Sequence, residues 1–69
     1  MTVEEIKARK FIAGQTTERL ITQFELTDLT DSKEVYMVRG WLMDELEKRN
    51  PEAFWAWVDS DEESPRKFF

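Results

Sequence analysis

The stretch that decides the fold is SKEVYMVRGWLMDELEKRNP, residues 32–51. At about 100° per residue, Val35, Val38, Leu42 and Leu46 form one apolar stripe, with Met37 and Trp41 on one side and Tyr36 and Met43 on the other. The pattern predicts a helix from about Ser32 to Arg49, introduced by a capping box of Asp31 and Glu34. Its first half is apolar around most of its circumference, so that half is expected to be the hub of the molecule. Val35 and its neighbours also suit a short strand by residue type, but continuity with the helical pattern that follows decides for helix. Asp44–Lys48 and Glu45–Arg49 are i,i+4 pairs with the acid first, as on a solvated helix face. Gly40 lies opposite the stripe, and its expected reason is close approach of another backbone, with a local kink as the alternative.

Asn50-Pro51 ends this helix and opens the next. Asn50 is a good N-cap, and proline suits the first helical position because its missing N–H had no partner there. The fourth helix runs from Pro51 to about Asp59, with Phe54, Trp57 and Val58 on its packed face and Trp55 on the flank. Upstream, Thr2 with Glu5 forms a capping box, and Gly14 is expected to supply a left-handed stop to a first helix from about Val3 to Ala13. This helix carries the basic cluster Lys7, Arg9 and Lys10. It either packs by one face and presents the other, or is a loosely docked arm. Thr16 or Thr17 caps a second helix bearing Leu20, Ile21 and Phe24, which fades near Thr27–Asp28 into a loop of residues that bond to their own backbone. The expectation is an all-α domain over residues 1–60: a compact bundle of about four short helices, the third longest and central. Residues 61–69 read as a flexible acidic C-terminal tail, with Phe68 and Phe69 frayed, folded back onto the core or docked into a partner.

The chain has 69 residues, ten basic and fifteen acidic, for a formal charge of −5. So small a core is expected to supply only about 3–5 kcal/mol without a staple. There is no Cys and no His, so disulfides, Cys/His zinc sites and Cys- or Ser–His-based nucleophilic catalysis are excluded. The acidic balance disfavours direct binding to nucleic acid or to anionic lipid. No apolar run nears the ~18 residues of a membrane span, and no signal-peptide pattern opens the chain, so the expected location is cytoplasmic. Asp59-Ser60-Asp61-Glu62-Glu63 lacks the glycine and the distal glutamate of a calcium loop. No cofactor, metal or small-molecule substrate is expected, and no enzymatic activity.

Residues 38–54 (VRGWLMDELEKRNPEAF), followed by Trp57 and Asp59-Ser60 and preceded by the segment Thr17–Asp28, resemble small uncharacterised bacterial proteins carried on phages and other mobile elements. The likeness spans about residues 16–60. It implies a bacterial source and a mobile-element context, and it supplies no site residues.

Two functions fit. The first is a non-catalytic protein–protein interaction module, in homodimeric form or with another protein, using Trp55 as anchor and Tyr36, Met43 and Phe11 as further contacts. The second is an acidic inhibitor that mimics nucleic acid, presenting Glu25, Asp28 and Asp31 with Asp59, Asp61, Glu62 and Glu63. Helix-turn-helix DNA binding fits worse, because Asp44, Glu45 and Glu47 stand where a recognition helix wants Arg, Lys, Asn or Gln.

Overall fold

The computed structural model describes residues 2–69. Four α-helices follow one another: α1 Val3–Ala13, α2 Thr17–Leu26, α3 Lys33–Arg49 and α4 Pro51–Asp59. Single 3-10 turns follow α2 at Thr27–Leu29 and α4 at Pro65–Lys67. The bundle is all-α, and α3 is its longest helix, packed against α1, α2 and α4.

Each helix starts on a side-chain oxygen that accepts an otherwise unpaired backbone N–H. Thr2 accepts from Glu5, Thr16 from Arg19, Ser32 from Val35 and Asn50 from Ala53, all at 3.1–3.2 Å. Two details differ from the sequence reading. Ser32, not Asp31, caps α3, and Asp31 instead accepts the Tyr36 phenol. Gly14 ends α1 in right-handed geometry, with φ −85° and ψ −5°, because its N–H can bond back to Lys10 and Phe11 without a left-handed turn.

The core comprises Ile12, Leu20, Ile21, Phe24, Leu42, Leu46, Ala53, Phe54 and Trp57. On α3 only Leu42 and Leu46 are buried, while Val35 and Val38 are half-buried. The hub is therefore the second half of α3 and not the first. The cause lies in its neighbours: α1 and α4 meet α3 near its C-terminal end, whereas the first half has the short turn Thr27–Leu29 beside it. Trp57 packs edge-on against Phe24 at 5.2 Å and against Phe54 at 5.7 Å, the geometry that sets a positive ring edge on a π face. The expected backbone approach at Gly40 does not occur; a Cβ added there would meet nothing within 4 Å.

Arginines fasten the helices to one another. Arg49 bonds Glu45 at 2.8 Å, Thr17 at 3.2 Å and the Ala13 carbonyl at 3.1 Å, so it closes the C-terminus of α1 as well as the start of α2. Glu45–Arg49 is thus a half-buried clasp and not part of a solvated face. The expected Asp44–Lys48 pair is replaced by Asp44 with Arg9 of α1 at 3.1 Å. Arg39 lies 4.1 Å over the Phe24 ring and bonds Thr27 and Asp28. These contacts fix the directions: α1 runs in the same sense as α3, and α2 runs against it.

Residues beyond Ser60, expected as a flexible tail, are seated on the bundle. Pro65 is fully buried, and Phe68 and Phe69 pack against the core. The Trp57 indole N–H donates to the Glu62 carbonyl at 2.9 Å. Arg66 forks onto Glu25 at 2.7 and 3.0 Å and reaches Glu18 at 2.8 Å and Thr22 at 3.1 Å. Composition hid this outcome. The acidic run suggested solvation, but one proline, one arginine and two phenylalanines supply packing and paired charge on α2.

Candidate interaction surface

Helix α4 shows its two faces plainly. Ala53, Phe54 and Trp57 point into the core, and Glu52, Trp55, Ala56, Val58 and Asp59 are all exposed. Val58, expected on the packed face, is 43% exposed, because the arc buried by α3 and the C-terminal turn is narrow. Trp55 is 52% exposed, and its ring stacks edge-on against Phe54 at 5.3 Å. An indole that is half in water yet braced by a buried ring is already ordered, so binding through it costs little further side-chain entropy.

The other sequence candidates are distributed over different helices. Phe11 on α1 is 63% exposed and Tyr36 on α3 is 60% exposed. Tyr36 gives its hydroxyl to Asp31, which raises its pKa and leaves only the ring for a partner. Met43 is half-buried and packs against the core, so it is a weaker contact than expected. Tyr36 and Met43 share a flank of α3 two turns apart, while Phe11 and Trp55 lie on separate helices.

One concave feature was missed in the sequence. Between α1 and α3 lies an open cleft of about 350 Å³. Ile6, Ile12 and Trp41 give it an apolar floor; Arg9, Lys10 and Lys48 stand at its edge with Asp44 and Glu45, which are paired to Arg9 and Arg49. The sequence signal was there in two parts. The basic cluster on the first helix and Trp41 beside the α3 stripe were both visible, but nothing in the pattern said that they meet.

Three of the seven acids proposed for a nucleic-acid mimic stand in ion pairs. Glu25 pairs with Arg66, Asp28 with Arg39 and Glu62 with Lys67. The guanidinium of Arg66 and the Ser64 hydroxyl hold the Glu25 carboxyl at about 2, well below its ordinary range, and Glu25 and Glu18 together raise the Arg66 pKa. Among the described residues every buried side-chain N or O has a hydrogen-bond partner. No group of acidic side chains among the described residues is placed to hold a metal ion, and no helix there is long and apolar enough to cross a membrane. No protein-family model, curated protein or solved structure matches this chain.

Proposed function

We propose that this chain is a non-catalytic protein–protein interaction module acting in the cytoplasm, with the outer face of α4 as its principal contact and Trp55 as the anchor. The observation that carries the proposal is the half-exposed, Phe54-braced indole of Trp55 beside Val58. Tryptophan in such a position contributes large contact area from a fixed starting geometry, the usual make-up of a binding hot spot. Val58 lies one turn on from Trp55 and is also exposed, so the two extend one apolar strip on the outer face of α4. The nucleic-acid mimic is the weaker reading, since three of its seven carboxylates already carry an ion-pair partner.

The experiment is affinity capture of the intact chain from its source cell, beside sedimentation of the purified protein. The expected result is a stoichiometric protein, another chain or a second copy, that is retained by the wild type and lost from Trp55→Ala. A chain that neither self-associates nor retains any partner overturns the proposal.

A further inference from the structure

Two groups of charges without a salt-bridge partner among the described residues lie beside apolar surface. Five of its ten cations, Arg9, Arg39, Arg49, Arg66 and Lys67, stand in ion pairs. Of the others, Lys10 and Lys48 line the cleft between α1 and α3 and make no salt bridge among the described residues. Four acids without a salt-bridge partner there, Glu52, Asp59, Asp61 and Glu63, belong to α4 or to the four residues that follow it. All four are exposed, and Glu52 and Asp59 flank the exposed Trp55 and Val58 on one face of α4. The chain thus carries an apolar cleft with free lysines and, on another helix, an apolar ridge with free carboxylates.

We infer that the cleft between α1 and α3 receives the outer face of α4 from a second copy of this chain. Trp55 and Val58 cover the Ile6–Trp41 floor, and Asp59 and Glu63 approach Lys10 and Lys48. This inference rests on the interaction reading above and names its partner. The cleft is open and, at about 350 Å³, lies at the small end of the range for ligand sites, a size suited to one or two side chains. Its floor already contains the half-buried Trp41, which offers a second aromatic surface to an incoming indole. Opposite charges around such a contact fix its register and speed its formation more than they deepen it. The two surfaces differ, but each copy carries both, so a two-fold arrangement of the pair makes one isologous interface. When each copy seats its α4 in the other's cleft, both contacts form together and the pair closes.

Two charge-reversed variants test this: Lys10→Glu/Lys48→Glu for the cleft and Asp59→Lys/Glu63→Lys for the ridge. All four positions are exposed, and far-UV circular dichroism checks that the helices persist. Sedimentation of the wild type is expected to show a concentration-dependent dimer that weakens with added salt. Each variant alone is expected to self-associate at least about tenfold more weakly. An equal mixture of the two is expected to recover a heterodimer of near wild-type strength, because each cleft then meets a ridge of opposite sign. A mixture that stays monomeric overturns the inference. A wild-type dimer that both variants leave unchanged also overturns it, while the broader interaction reading survives. A wild-type monomer overturns self-pairing, and the interaction reading then depends on the Trp55-dependent partner of the capture experiment.

Discussion

Two end segments, α1 and the stretch Pro65–Phe69, both look like loose arms in the sequence, and the structure docks them by different means. Helix α1 has eleven residues but buries only Ile12; its other ties are the Arg9–Asp44 bridge and the grip of Arg49 on its last carbonyls. The C-terminal stretch buries Pro65, packs Phe68 and Phe69 on the core, and threads Arg66 through three side chains of α2. The shorter segment is the more firmly held. Attachment follows buried apolar area and charge-assisted hydrogen bonds, and length of regular structure contributes little.

The comparison can be broken from either side. Deleting residues 65–69 is expected to lower stability by about 3 kcal/mol through lost apolar burial, a large fraction of what a domain this small holds. Urea unfolding at pH 7 measures it, and a midpoint unchanged from wild type would show that the segment is not fastened. Ile12→Ala is expected to cost about 2–3 kcal/mol, at the lower end for such a truncation because the adjoining cleft lets the site relax. Hydrogen exchange should then rise throughout α1 and much less in α2 and α4.

Arg66→Ala is expected to move the midpoint less than either change, since its partners are solvent-accessible and screened. Its signature is the pH dependence. The Glu25 carboxyl has an ordinary pKa of 4.5 and a folded value of about 2. A depressed carboxyl stabilises the fold fully above its unfolded pKa and ceases to do so as pH falls through the folded value. The difference between wild type and Arg66→Ala should therefore be largest near neutrality and shrink between pH 4.5 and 2. A gap that stays constant over that interval would show that Arg66 acts by packing alone. The smallest effect has the opposite sign. Gly40→Ala is expected to stabilise by up to about 1 kcal/mol, because the added Cβ meets open space and alanine is the better helix former. A destabilised Gly40→Ala would mean that the outer face of α3 needs the glycine for a close neighbour.

The fourth helix was legible almost to the residue, because Asn50-Pro51 sets its start by local chemistry that tertiary packing does not alter. The α3 stripe was legible as well, but the sequence placed the hub at Val35 and Val38, whereas burial selects Leu42 and Leu46. Periodicity shows which face of a helix is apolar; it does not show which part of that face a neighbour will cover. The interaction surface was half legible. Trp55 stood out by its position on α4, while the Ile6–Trp41 cleft depends on two helices about thirty residues apart in sequence meeting side by side.

The sequence by itself determined the four α-helices, the N-caps of all but the third, the absence of thiol and imidazole chemistry and the aromatic character of the last helix. Each of these is a local property, carried by residues within one or two turns of one another. Only the tertiary structure decided that Arg66 locks the C-terminal stretch onto α2, that Arg49 clasps three helices, and that free lysines border a cleft while free carboxylates border a ridge. These depend on groups far apart in the chain, whose pairing is settled by burial and the matching of charge when the bundle closes.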